Sequence, residues 1–378
     1  MKKIKVLHVL TDTNIGGAGT VLINHLTCFD REKYDISVCL PEGSALTPRV
    51  EAEGYRVIPL KHGHDKSFEM SAVSEFVKLF RREKPDIVHT HSAFSAKLGA
   101  YLAGVKSRIY TRHCVFDMPR RLTTFPGKQI NGFINNTLAT EIVAVAGAAK
   151  DNLTDTGVSE KKITVIINGV HPVRKLTDEE IAAHKASLGI ADGVFVCGIP
   201  ARFEHYKGHA YLLETIAEVA KTHPDIVCLF MGRGPEEESL KVKAAELGIS
   251  DKIIFTGFIK DMVPYYNIMD LNLNCSYGTE ASSMSLAEGM SLSIPAVVTD
   301  FGGNPYMVTD GVNGLLVPKK DSHAMAEAIL RLMDDKELLA KLCVGAYSEF
   351  ETKFTAQGMT RQLEAIYDKE AARTGAGK

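Results

Sequence analysis

Two glutamates eight positions apart, Glu280 and Glu288, and an arginine and a lysine five apart, Arg202 and Lys207, are the residues of this 378-residue chain best suited to act together. The two cations suit a diphosphate, the guanidinium as a planar fork and the ammonium as a compact point charge. The carboxylates suit vicinal hydroxyls, from which each accepts paired hydrogen bonds. On one continuous helix eight residues turn through about 800°, which leaves the two carboxylates roughly 80° apart. A helix that begins near Ser282 or Ser283 instead puts Glu280 on the preceding loop and Glu288 a turn and a half inside. The free N–H groups near Ser283 and Met284, with about half a positive charge from the helix dipole, then form an anion site between the acids. That arrangement describes a sugar carried on a nucleoside diphosphate. Taken singly, each motif also has a bland reading: surface charge for Arg202 and Lys207, helix-start charge for Glu280 and a solvent face for Glu288.

Other motifs close strand-like runs. TNIGGAGT follows the first strand and precedes a helix, the place where glycine lets backbone approach phosphate. It is no dinucleotide fingerprint, because the third glycine is replaced by Leu22, and no G-K-[ST] follows for a P-loop. Gly17 is either part of a tight turn or faces phosphate or sugar. DIVHTHSAF places His89 and His91 on one side of a strand. A metal needs a third ligand, and none of suitable type is evident nearby. The alternatives are an imidazole held in the core or, for His91 at the strand exit, a contact to a sugar hydroxyl or acceptor. His113, just past the next strand, reads the same way. FMGRGPEEESL is mostly helix-start chemistry, and FGGNPYMVTDGVNGLLVP mixes turn grammar with a glycine pair that either faces a ligand or, the preferred reading, is structural.

These residues need elements to hold them. Short β-branched runs alternate with helix-period segments, which predicts parallel sheets and an α/β class. Strands are expected over 5–10, 35–40, 56–59, 87–91, 108–112, 141–145 and 163–167, with helices over 70–83 and 92–103. INGVHPVRKLTDEE reads as a turn and linker. The rhythm resumes with strands over 194–201, 226–232, 253–256, 271–274, 296–299 and 314–317. The length suits two domains. They are expected at 1–172 and 173–354, with a last helix over 355–373 that either packs back onto the first domain or does not. Ligand edges should lie at the carboxyl ends of the strands, with the substrate in a cleft between the domains.

Apolar residues make up 45% and charged residues 24% of the chain, as in globular proteins and not disordered ones. Residues 1–172 hold 23 Lys+Arg against 17 Asp+Glu, and the remainder 21 against 29. The densest basic stretch, Arg81 to Lys128, is either a solvated face or a docking face for anionic lipid or an anionic acceptor. Nucleic acid is not expected, since no binding signature accompanies the charge. Seven cysteines without a C-x-x-C pair read as reduced core thiols. The apolar run after MKKIK is too short for a signal segment, so a cytoplasmic protein is expected, touching the inner membrane face at most peripherally.

In order and spacing these motifs resemble the retaining nucleotide-sugar glycosyltransferases of GT-B fold, in the large glycogen synthase-like group. The resemblance rests on the early GG loop, D-I-V-H-T-H-S, I-I-N-G-V, R-x4-K-G, G-x-G-P, the E-x7-E pair, and G-G-x-P followed by G-x-N-G-L-L-V-P. It implies two Rossmann-like doubly wound domains facing across a cleft, an acceptor-side domain first and a donor-binding domain second. It also implies that Arg202 and Lys207 hold the donor diphosphate, Glu280 the hydroxyls of the transferred sugar and Glu288 the ribose. Amides near Ser283 and Met284 would complete the phosphate site, with Gly17 approaching from the first domain. No cofactor or essential metal is implied, and no D-x-D cluster stands at a strand end. Glycine or proline commonly follows the first glutamate in the family, and G-R-L is usual where Ala201-Arg202-Phe203 stands here.

The resulting expectation is a polysaccharide-building bacterial envelope enzyme. It would move a hexose from a UDP-, GDP- or ADP-sugar to a glycan or lipid-linked acceptor. The competing readings are a non-catalytic sugar-nucleotide-binding protein and a nicotinamide-dependent oxidoreductase.

Overall fold

The structure is a computed structural model that describes residues 2–91, 93–115 and 118–377. Ser92, which closes the D-I-V-H-T-H-S motif and opens an expected helix, lies outside them. Backbone contacts divide the chain into two compact units. The first comprises the chain up to Gly169 together with Ala356 onwards, and the second is Val170–Thr355.

The first unit carries seven parallel strands, β1 (Ile4–Leu10), β2 (Tyr34–Pro41), β3 (Arg56–Leu60), β4 (Ile87–His91), β5 (Ser107–Arg112), β6 (Glu141–Ala144) and β7 (Ile163–Val165). Their order is β3-β2-β1-β4-β5-β6-β7. The second carries β8 (Phe195–Pro200), β9 (Ile226–Met231), β10 (Ile253–Gly257), β11 (Leu271–Asn274), β12 (Ala296–Thr299) and β13 (Gly314–Val317), in the order β10-β9-β8-β11-β12-β13. Every run read as a strand from sequence is one, with ends differing by one or two residues. Such strands are buried on both faces and so read as near-continuous apolar runs. In β8, Phe195, Val196, Cys197 and Ile199 are all buried.

In each sheet the winding reverses beside the first strand, between β1 and β4 and between β8 and β11. A crevice opens at such a switch point at the carboxyl ends of the strands. Gly17 opens the helix that follows β1, His91 ends β4, and the loops after β8 and β11 carry Arg202 and Glu280.

The segment read as a linker is partly helical. Thr177 accepts from the Glu180 amide while Glu180 accepts from the Thr177 amide, a capping box that opens the helix Asp178–Ser187. The charged run therefore begins a helix. The last helix, Ala356–Thr374, belongs to the first unit and packs Leu363, Ile366 and Tyr367 into it. All seven cysteines are free thiols, and Cys39, Cys197, Cys228 and Cys275 are buried.

Candidate active site

In the second unit, Lys207 ends a short 3-10 turn, His205–Lys207, directly after the β8 loop. Gly208 follows with φ +80°, and a Cβ there would lie 2.1 Å from the Cys275 carbonyl oxygen. Only glycine allows that approach, which lays the lysine loop against the exit of β11. The Tyr277 amide fixes it by donating to the Tyr206 carbonyl at 2.9 Å. The K-G spacing thus carries Lys207 across the switch point.

There Lys207 Nζ donates to Glu280 Oε2 at 2.9 Å. The pair is mostly shielded, with side chains 18% and 10% exposed. Lys207 also reaches the Ser276 hydroxyl and the Thr279 carbonyl. Glu280 Oε2 further accepts from Asn274 Nδ2 and Ser276 Oγ, each at 3.0 Å. Three donors thus converge on one carboxylate oxygen, while Oε1 has no hydrogen-bond partner among the described residues. This is a held carboxylate with one free face, suited to accept from a hydroxyl.

Three supporting residues were not singled out from sequence. Asn272 and Asn274 lie on β11, where a central parallel strand should be apolar throughout. Asn272 Nδ2 donates to the Ser285 carbonyl at 2.8 Å, so it anchors the following helix, while Asn274 orients Glu280. The polar alternation of LNLN was the available signal. Asn304 is buried and donates to the Thr299 carbonyl. The glycine pair before it packs on the loop that bears the acid. The Gly303 amide donates to the Glu280 carbonyl at 3.0 Å, and a Cβ on Gly302 would meet that oxygen at 2.4 Å. That packing agrees with the structural reading of the pair.

The helix after Glu280 runs Met284–Met290 with Ser283 at its N-cap. The Ser283 hydroxyl caps no amide and lies 3.0 Å from that of Ser285. Glu288 is half-buried a turn and a half inside, with Oε2 accepting from Tyr266 at 2.6 Å. Burial pushes its carboxyl above the usual range, against the Tyr266 hydrogen bond. Arg202 is not drawn in. Its side chain is 73% exposed, 3.9 Å from Glu204 and 3.4 Å from the Tyr206 hydroxyl. Lys207 and Glu280 are therefore brought together, whereas Arg202 and Glu288 stand apart from that pair.

The first unit fills its switch edge differently. Gly17 is exposed at the start of the helix Gly17–Leu26. His91 is 3% exposed and sits in an unbroken hydrogen-bonded chain. Thr111 Oγ1 lies 2.6 Å from His89 Nε2, and His89 Nδ1 lies 2.6 Å from the Tyr367 hydroxyl. That hydroxyl is 3.0 Å from His8 Nε2, His8 Nδ1 is 3.0 Å from His91 Nε2, and His91 Nδ1 is 2.8 Å from His113 Nε2. His8 is the third imidazole that sequence did not bring to His89 and His91, and nitrogens of the three lie within 4.8 Å of one another. Its register opposite His89 on neighbouring strands brings it there. Both nitrogens of all three are already used within the chain, which is what neutral imidazoles need to be satisfied. Burial pushes His8 down to about 3, His113 to about 4, and His89 and His91 well below the ordinary value. His91 thus has no free nitrogen for a sugar hydroxyl as it stands.

Paired sheets of this order, with a lysine–glutamate pair at the second switch point, define a GT-B architecture. Two family patterns cover most of the chain: "Glycosyl transferases group 1" matches residues 180–348 and "Glycosyltransferase Family 4" residues 15–174. The chain is 27% identical over 373 residues to alpha-monoglucosyldiacylglycerol synthase of Acholeplasma laidlawii, covering 93% of this chain and 89% of that protein. It is 25% identical to UDP-Gal:alpha-D-GlcNAc-diphosphoundecaprenol alpha-1,3-galactosyltransferase of Escherichia coli, covering 90% and 91%. Among solved structures, a glycosyltransferase from Rickettsia africae superposes with a TM-score of 0.83 at 21% identity, covering 98% and 99%. Anabaena HepE in complex with UDP gives 0.82 at 20%, covering 97% and 100%. The chain belongs to the group 1, family 4 glycosyltransferases, which are retaining enzymes and typically act without a metal.

Proposed function

We propose that this enzyme transfers a hexose from a UDP-sugar to an envelope glycan or lipid-linked acceptor, in peripheral contact with an anionic membrane. The observation that carries the donor assignment is the Lys207–Glu280 pair at the switch point of the second unit. Support for uridine comes from the UDP held by HepE and the UDP-Gal named for the E. coli relative. The acceptor class is suggested by that relative and by a capsular polysaccharide glycosyltransferase of Staphylococcus aureus, 23% identical over 379 residues.

In this reading Lys207 and Arg202 hold the diphosphate and the Ser283 and Met284 amides meet its oxygens. Glu280 binds hydroxyls of the transferred sugar and Glu288 the ribose. Gly17 supplies a backbone contact to phosphate, and His91 backs the sugar side. The bond from the anomeric carbon to the phosphate oxygen breaks as that from the anomeric carbon to the acceptor oxygen forms. The acceptor proton leaves on the departing phosphate. Lys207 stabilises the charge that develops there, in a site where the cation is already fixed.

The test is UDP release from UDP-sugars in the presence of lipid-linked or glycan acceptors. Loss of turnover in Lys207→Ala and Glu280→Gln, with melting temperature near that of wild type, is expected. Donor binding without turnover on any acceptor would favour the non-catalytic reading. A nicotinamide absorbance change would revive the oxidoreductase.

A further inference from the structure

The helix Gly127–Leu138, GKQINGFINNTL, is amphipathic in the wrong sense for a protein surface. Its three asparagines face the protein. Asn131 Nδ2 donates to the Thr156 carbonyl at 2.7 Å, and Asn136 bonds to the Gly157 carbonyl and the Ser159 amide. Asn135 Oδ1 accepts from Lys97 Nζ at 2.9 Å. Lys97 is itself buried, its ammonium 4.0 Å above the Tyr110 ring, and burial next to Arg112 pushes it down to about 8. On the same inner face Gly132 lies so close to residue 157 that a Cβ would meet the Gly157 oxygen at 2.2 Å.

Two of its large apolar side chains face outward, while Leu138 at its end is buried. Ile130 is 56% and Phe133 73% exposed, three residues apart and therefore neighbours on one face. Phe125, just before the helix, is 81% exposed. Surface helices normally bury the apolar stripe and present the polar one. Here the asparagine stripe is fastened down by four side-chain hydrogen bonds to the rest of the unit, so the helix cannot simply roll over.

The charge around this face has one sign. From Met118 to Leu138 there is no Asp or Glu, while Arg120, Arg121 and Lys128 are present. None of the three forms an ion pair among the described residues, and the two arginines are exposed. The basic stretch noted in the sequence accordingly divides. Lys97 is buried and Arg108 is spent on the Leu138, Val105 and Thr137 carbonyls, whereas Arg120, Arg121 and Lys128 keep their charge available.

We infer that Phe125, Ile130 and Phe133 form a docking surface that enters the interface of an anionic bilayer, with Arg120, Arg121 and Lys128 meeting the lipid phosphates. Aromatic and aliphatic side chains bury in the headgroup and acyl boundary, and adjacent cations add attraction to anionic lipid. No helix among the described residues is long and apolar enough to cross a membrane, so the contact is one that lies on the surface. The inference deepens the membrane contact proposed above, and it stands on residues that take no part in donor binding.

The chain contains no tryptophan, which makes Phe133→Trp a unique reporter. With the full-length protein, its emission should shift to the blue on adding phosphatidylcholine vesicles containing about one-third phosphatidylglycerol. Pure phosphatidylcholine should give little shift, and salt should reverse much of it. In co-sedimentation, Phe125→Ser combined with Phe133→Ser should lower vesicle binding about tenfold or more, and Arg120→Gln with Arg121→Gln should remove most of the salt dependence. All these side chains are exposed, so melting temperature and UDP release with a soluble acceptor should stay at wild-type values. Equal binding to neutral vesicles, or binding untouched by the serine pair, would overturn the inference. So would a concentration-dependent dimer that the serine pair dissolves, since the face would then belong to a second copy. Vesicle binding needs no turnover, so its failure leaves the glycosyltransfer reading standing, and a failure of turnover leaves the docking surface standing.

Discussion

The two switch edges share a topology and differ in chemistry. In the first unit, strands β1, β4 and β5 bring four histidines together with Thr111 and Tyr367, and every ring nitrogen is used within the chain except His113 Nδ1, which is buried without a partner. In the second, β8 and β11 bring together a cation and an anion that keep unused valences. Neutral groups with one donor and one acceptor each can be buried in a chain at little cost when every link is made. Two charges are costly to bury, and they are retained here at a sheet edge where a ligand's own charges could be met. The first edge is satisfied from within at all but the end of its chain, and the second keeps charges that a ligand would complete.

The contrast is broken most severely by removing a charge from the second edge. Lys207→Ala and Glu280→Ala should each lower UDP-release rates by about 10²- to 10³-fold, the usual effect of deleting one fixed electrostatic contact to a reacting group. Rates within a few-fold of wild type would remove the pair from the donor site. Asn274→Ala should follow in the same direction with a smaller loss, since Lys207 and Ser276 still hold Glu280. Steady-state kinetics on the three variants gives the ranking.

Acid should act on the first edge. His8, His89, His91 and His113 are neutral in the folded protein at pH values where the unfolded chain, near 6.5, already binds protons. Stability from these groups is present above about pH 6.5 and is lost as pH falls toward 4 and 3, each contributing up to about 1.4 kcal/mol per pH unit in that window. A melting temperature that holds level from pH 7 to 5 would count against a neutral chain. His8→Gln, which keeps a donor and an acceptor without titrating, should flatten the slope.

Smaller effects sharpen the picture. Thr177→Ala removes the capping box from Asp178–Ser187 and should cost about 1 kcal/mol in denaturant unfolding. Arg202→Ala should change stability by no more than about 0.5 kcal/mol, because the side chain is exposed. If it nevertheless raises KM for the donor, the arginine engages only when the diphosphate arrives.

Much of this was legible in the sequence because the relevant signals are local. The apolar runs gave all thirteen strands, and the serine step gave the helix start at Met284 and so the separation of Glu280 from Glu288. What stayed hidden depends on strand order. Nothing in the run from His8 to His91 announces that β1 and β4 are neighbours, so the third imidazole could not be placed. Nor does Tyr367 advertise that it reaches His8 and His89. Asn272 and Asn274 were visible as polar residues in a central strand, but their partners, Ser285 and Glu280, meet them only where the chain after β11 folds back over the strand. The reversed helix at 127–138 was hidden for a related reason, since periodicity shows that a face exists and not which way it looks.

Tyr367 also bears on how the chain is made. It is supplied by the helix Ala356–Thr374, yet it completes the interior of a sheet whose first strand is β1. During synthesis β1 must therefore wait for a helix made only after the whole of Val170–Thr355. Until those emerge, His8 and His89 lack the phenol between them, while the unit Val170–Thr355 already has every residue it needs. The half made first is the half finished last.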